Sequence, residues 1–123
     1  MSKVTISKKK IELFYLPKLL IICLKRFSTQ GRNLIKNSEY VNFPINDMDL
    51  EKIVSGPEKK ISKYDLYAVC RHFGSCDSGH YTALCQNIDN KWYQYNDSIV
   101  NEIDENEINT AEAYVLFFRR KYD

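Results

Sequence analysis

The alternating run from Tyr64 to Phe73, and its return after a glycine-bounded loop, constrains this chain more than any other stretch. Strand side chains alternate, so Leu66, Ala68, Cys70 and His72 are expected on one face and Tyr67, Val69, Arg71 and Phe73 on the other. Gly74-Ser75-Cys76-Asp77-Ser78-Gly79 is a loop with a glycine at each end, and His80 to Gln86 reads as the returning strand. Asn87 to Lys91 turns the chain again, and Trp92 to Asn96 comes back. Short turns between such runs allow only antiparallel neighbours. Ile99 to Ile103 reads as another short strand, and Ala113 to Phe118 as a last one, closed by Arg119-Arg120-Lys121. Helix is confined to one or two turns, N-capped by Asp104 or Asn106, and to a short turn near Met48 to Ile53. The class is α+β, predominantly antiparallel β-sheet.

The first half is less regular. Residues 1–10 read as a weak strand or a tail, and Ile11, Leu13 and Tyr15 suggest a strand as far as Leu16. Pro17 has no backbone donor and ends it. Lys18 to Phe27 is a continuous apolar run, predicted as a buried central strand. Ser28 to Asn33 reads as a turn. Leu34 to Lys36 and Tyr40 to Phe43 read as short strands, the second stopped by Pro44. Residues 46–63 read as a long surface connection.

Composition limits what such a sheet can do. The 123 residues make one domain or a piece of one, and 44% hydrophobic with 28% charged residues is an ordinary globular balance. A net charge of +2 gives no basic stripe, and the aromatic run Trp92 to Tyr95 is not basic, which argues against nucleic-acid binding. The run Lys8-Lys9-Lys10 reads as a solvated face or the fraying start of a strand. No stretch approaches the ~20 apolar residues of a membrane span. The N-terminus lacks the order of a signal peptide, so an intracellular setting, cytoplasmic or nuclear, is expected. The four cysteines, Cys23, Cys70, Cys76 and Cys85, are then thiols, and the sequon Asn96-Asp97-Ser98 is a coincidence.

His80 carries the chemical interest. It follows Gly79 at the mouth of a strand, beside a loop, where a general base can be held firmly and still meet substrate. Imidazole titrates near neutrality, which suits proton transfer. The hairpin returns Asn96 and Asp97 to the same end of the sheet, so either could orient the imidazole. The plainer readings are a loop-edge histidine and a turn sequence. Cys70, His72, Cys76 and His80 also carry zinc-ligand chemistry, although their spacing lacks the paired Cys-x2-Cys of structural sites. Of the cysteines, Cys23, Cys70 and Cys85 fall mid-strand. Cys76 lies near His80 but has no helix N-terminus behind it to lower a thiol pKa.

Several stretches together resemble the ubiquitin-specific proteases. Leu16-Pro17-Lys18-Leu19-Leu20-Ile21-Ile22-Cys23-Leu24-Lys25-Arg26-Phe27 is similar to their LPxxLxxxLKRF strand. Tyr64-Asp65-Leu66-Tyr67-Ala68-Val69 with His72 and Gly74 resembles YxLxAVxxHxG, and Gly79-His80-Tyr81-Thr82-Ala83 resembles the histidine box. Lys91-Trp92, Tyr95-Asn96-Asp97-Ser98 and Ala113 to Phe118 look like the closing signature. The resemblance runs in order from about Leu16 to Arg120.

It implies the C-terminal, sheet-rich half of a papain-like cysteine peptidase domain that cleaves after the ubiquitin C-terminal glycine, with no cofactor. His80 would be the base, Asn96 the third member of the triad and Asp97 an auxiliary polar residue. Phe73, Gly74, Ser75, Cys76, Asp77, Ser78, Gly79 and Tyr81 would meet the ubiquitin tail, with Phe43 to Leu50 near a second loop. His72 matches a family position but is not assigned to catalysis. The family's GNTCYxN nucleophile box and paired Cys-x2-Cys motifs are absent from these residues. The isolated chain is therefore expected to be inactive. Its expected partners are ubiquitin or ubiquitinated proteins, the missing N-terminal half, and further copies of itself through an uncovered apolar face. The alternative is a non-catalytic ubiquitin-binding or scaffold module.

Overall fold

The structure, a computed structural model, describes residue 7, residues 9–57 and residues 61–122. The tail or strand expected for residues 1–6, Lys8 of the lysine run, and residues 58–60 of the long connection lie outside the described residues.

Among the described residues nine strands form in chain order: β1 (Leu19–Cys23), β2 (Phe27–Gln30), β3 (Asn33–Lys36), β4 (Met48–Asp49), β5 (Lys63–Gly74), β6 (Gly79–Gln86), β7 (Trp92–Asn96), β8 (Ile99–Ile103) and β9 (Ala113–Arg120). Two single 3₁₀ turns, Glu51–Ile53 and Glu105–Glu107, supply the helix. Asp104 caps the second in a capping box with Glu107. The main sheet runs β1-β9-β5-β6-β7-β8, with β4 paired to β5, and every named pairing in it is antiparallel. β2 and β3 make a separate hairpin.

The long central strand is β5, not the Lys18 to Phe27 run. That run splits: among the described residues β1 is an edge strand paired only with β9, and Phe27 begins β2. Leu19 and Ile21 are about three-fifths exposed, at 58% and 60%. Arg26 explains the break, because its buried guanidinium serves three carbonyls on two segments. Nε donates to Ala113 O at 2.6 Å, and Nη1 donates to Asn37 O at 3.0 Å and Glu39 O at 2.8 Å. Much of the expected turn Ser28 to Asn33 is strand, with only Gly31 and Arg32 turning. Among the described residues, Tyr40 to Phe43 forms no strand. Leu13 makes one isolated bridge to Val54 where a strand was expected.

A bulge corrects the predicted faces of β5. Leu66 pairs with Phe118 but Ala68 pairs with Phe117, so Tyr67 is an extra residue and the alternation changes phase there. Leu66 therefore shares the buried face with Val69 instead of Ala68. A second irregularity, at Tyr114 between Val115 and Ala113, restores the register.

The two faces of the sheet then differ. Tyr64, Leu66, Val69, Leu84, Leu116 and Phe118 form the core face, and Leu16, Phe43, Val54 and Ile108 cover it. Backbone and side-chain bonds hold this cover: Leu66 N–H donates to Ile45 O at 2.8 Å, and Asn109 Nδ2 donates to Phe43 O at 2.8 Å. A fully buried side chain such as Phe118 contributes about 1.5–3 kcal/mol. The opposite face, carrying Ile21, Cys70, Ala83, Cys85 and Phe117, stays partly open. A shallow apolar groove of about 410 Å³ runs over Tyr67, Ala68, Cys70, Cys85 and Phe117.

Candidate functional site

The β5–β6 hairpin is built to present His80. Pairing is regular from Ala68↔Cys85 to Gly74↔Gly79, with Phe73 opposite His80. Four residues close the loop, and Ser78 N–H donates to Ser75 Oγ at 3.2 Å. Gly74 has φ 91, and a Cβ there would lie 2.7 Å from Ser78 O, so the turn requires glycine.

Parity along β6 puts His80, Thr82 and Leu84 on the core face, at whose rim His80 is exposed. On β7 the half-buried Asn96 comes to the same end and face. The imidazole Nε2 of His80 and Oδ1 of Asn96 are 2.7 Å apart. A carbonyl oxygen only accepts, so Nε2 carries the proton and the free lone pair is on Nδ1. Asp97 is the first residue of the two-residue β7–β8 turn, with φ 51, and is exposed. The structure thus joins His80 to Asn96, and Asp97 shapes the turn beside them.

Arg71 is a neighbour that the sequence alone did not single out. It is buried on the same face, donates from Nε to Thr82 Oγ1 at 3.3 Å and from Nη2 to Gln94 Oε1, and lies 5.3 Å from the Phe73 ring centroid. Burial lowers its pKa, and Glu112 and Glu107 oppose that. It ties β5, β6 and β7 together one row from the His80–Asn96 pair. An isolated Arg in an apolar strand between Cys70 and His72 was the available signal.

The opposite face of the hairpin carries His72, Tyr81 and Gly79. A cleft of about 250 Å³ is lined by Phe27, Leu34, His72, Cys76, Tyr81 and Tyr114. His72 is 3% exposed while Tyr81 is 55% exposed. Desolvation, with Lys36 adding to it, lowers the His72 pKa below the ordinary imidazole range.

The cysteines do not gather around His80. Cys23 and Cys70 both pair with Val115, and Cys70 pairs with Ala83, so Cys23, Cys70 and Cys85 lie on the face opposite His80. Burial raises the Cys70 and Cys85 thiol pKa values, the reverse of what a nucleophile needs. Cys76 sits in the loop, on the cleft of His72. Cys70 and His72 are likewise across the sheet from His80, and among the described residues no His, Cys, Asp and Glu side chains gather to hold a metal ion.

The family model described as ubiquitin carboxyl-terminal hydrolase matches residues 1–118. The chain belongs to the ubiquitin carboxyl-terminal hydrolase family. It is 44% identical over 121 residues to ubiquitin carboxyl-terminal hydrolase 5 of Arabidopsis thaliana, covering 95% of this chain and 13% of that protein. It is 41% identical over 116 residues to ubiquitin carboxyl-terminal hydrolase 15 of Homo sapiens, covering 94% of this chain and 12% of that one. The chain therefore spans about an eighth of these hydrolases. Among solved structures, it superposes on part of the SAGA Ubp8/Sgf11/Sus1/Sgf73 DUB module bound to ubiquitin aldehyde. The TM-score is 0.81 at 28% identity, covering 90% of this chain and 26% of that one. The mostly antiparallel sheet is thus the hydrolase family's own fold, and Gly79-His80 and Tyr95-Asn96 lie in the matched region.

Proposed function

We propose that residues 1–123 form the C-terminal part of the catalytic domain of a deubiquitinating thiol protease, supplying its general base and that base's orienter. The observation that carries this is the 2.7 Å contact between His80 Nε2 and Asn96 Oδ1 at the exposed rim of the sheet. With Nε2–H given to Asn96, the lone pair on Nδ1 takes the proton of a thiol. The thiolate then attacks the carbonyl carbon of the ubiquitin C-terminal glycine. The imidazolium returns its proton to the departing amine, and a water activated by the same Nδ1 later releases ubiquitin from the thioester.

The nucleophile in this account lies outside residues 1–123. The placement of Cys23, Cys70 and Cys85 across the sheet from His80 supports that, as does the raised pKa of Cys70 and Cys85. Asp97, beside Asn96 in the turn, is an auxiliary polar residue. Phe73 to Gly79 and Tyr81 meet the ubiquitin tail; the partly exposed Tyr81 and the cleft beside it suit an extended peptide. The open sheet face receives the rest of the domain, and in its absence a second copy of the chain. The four cysteines are unpaired, which fits a reducing compartment, cytoplasm or nucleus.

The test is turnover of a ubiquitin C-terminal coumarin amide by the longer protein that contains this chain. Thiol-dependent release of the fluorophore supports the reading. Ubiquitin binding without release favours the non-catalytic module instead.

A further inference from the structure

The chain has two histidines, and one glycine joins their structural roles. His72 lies diagonally across from Gly79 on the open face of the hairpin, because it pairs with Tyr81. A Cβ built on Gly79 falls on the His72 ring, against Nε2 and 2.7 Å from Cε1. Gly79 does not have a positive φ, so its backbone would admit alanine. The ring of His72, not the backbone conformation, requires glycine there.

The ring is firmly seated. Phe27 meets it edge-on at 5.1 Å, Tyr81 packs at 4.9 Å and Tyr114 at 6.4 Å between centroids. Lys36 Nζ donates to His72 O at 3.2 Å and to Gly74 O at 2.9 Å, fastening the end of β5 to the β2–β3 hairpin. The next residue after Gly79 is His80, whose own side chain is exposed and has little packing to hold it.

We propose that His72 is a positioning residue: its ring, pressed against Gly79 from the open face, sets where the His80 backbone sits and so brings the His80 imidazole onto Asn96 on the other face. This rests on the reading of His80 as the base. The buried ring of one histidine is the stop against which the strand bearing the other is held. Displacement of a reacting group by about 1 Å is enough to cost roughly a hundredfold in rate. A device that fixes one backbone position therefore acts on kcat more than on ubiquitin binding.

A size exchange tests it. In the longer protein, with ubiquitin coumarin amide as probe, Gly79→Ala is expected to lower kcat about tenfold or more. The double variant Gly79→Ala with His72→Ala removes the clash and is expected to recover most of that loss. A double variant as slow as Gly79→Ala, or slower, overturns the proposal. Should Gly79→Ala not fold, His72→Ala alone decides: kcat falls with KM retained, and a parent-like kcat overturns it. A readout independent of hydrolysis separates this inference from the functional reading. In the chain with ¹⁵N-labelled histidine, Gly79→Ala should shift the His80 imidazole resonances and the double variant should move them back. Unshifted His80 resonances overturn the positioning role even if the parent turns over no substrate. An inactive parent with shifted resonances overturns only the functional reading.

Discussion

The Nε2 of His80 and the Oδ1 of Asn96 lie 2.7 Å apart, joined across the ends of two neighbouring strands. The strand pairing Ala83↔Tyr95 sets the register that makes this contact possible. Because the bond fixes Nε2 as the protonated nitrogen, Asn96 decides which atom of the imidazole is free to act.

Replacing Asn96 should therefore impair the base without removing it. Asn96→Ala is expected to lower kcat of the longer protein by about 10 to 100-fold, less than loss of the histidine, while Asn96→Asp keeps an acceptor at the same place and retains more. Steady-state kinetics on ubiquitin coumarin amide check both. A decline for Asn96→Ala as deep as that for loss of His80 would show that orientation and proton transfer cannot be separated here.

His72 makes stability depend on pH in a defined direction. Its folded pKa is below the ordinary value of about 6.5, through desolvation first and Lys36 second. The ring also faces Cys76, Tyr81 and Tyr114, and its backbone N–H donates to Glu112 O at 2.9 Å. Between the unfolded and folded values the unfolded chain holds the extra proton, so stability rises with pH. The His72 contribution is complete above about pH 6.5 and is lost as pH falls through the lowered folded value. Urea midpoints of the parent should drop across this window, and those of His72→Asn should drop less. Equal slopes would remove His72 as the cause.

Arg26 should matter to stability more than to chemistry. Its guanidinium reaches the carbonyls of Ala113, Asn37 and Glu39 from a buried position. A lysine ammonium cannot reproduce that planar fan of donors. Arg26→Lys is expected to cost roughly 2–4 kcal/mol in urea unfolding. A loss below about half a kcal/mol, the range of a neutral surface change, would contradict the reading.

The open sheet face should make the isolated chain self-associate. Leu19 and Ile21 on the edge strand flank the groove over Tyr67, Cys70, Cys85 and Phe117. Light scattering should show mass rising with concentration, and Ile21→Lys should suppress it. A monomer at high concentration in the parent would count against this.

The strands that bear the site were legible because their sequence is locally sufficient. Gly74 and Gly79 bound one turn, Asn87 to Lys91 the next, and the residues between alternate or run apolar; His80, Asn96 and the Ile99–Ile103 strand followed directly. Failures came where a non-local contact decides. Lys18 to Phe27 looks central by hydrophobicity, yet Arg26 must turn inward to three carbonyls, and the strand before it is left at an edge. The faces of β5 could not be counted through Tyr67, because a bulge is defined by the partner strand. Tyr40 to Phe43 has strand composition but pairs with no neighbour among the described residues. In the sequence His72 reads as a zinc-ligand type and as a family position. Its packing against Gly79 joins two strands, and only the glycine before His80 hinted that something presses there.

Replacement of His80 by alanine in the longer protein, assayed with ubiquitin coumarin amide, tests the central claim most directly. A general base contributes about 10²–10⁴-fold, so turnover should fall to the limit of detection while the thermal midpoint stays close to that of the parent. Near-parental turnover by a folded His80→Ala protein would contradict the assignment of His80 as the base.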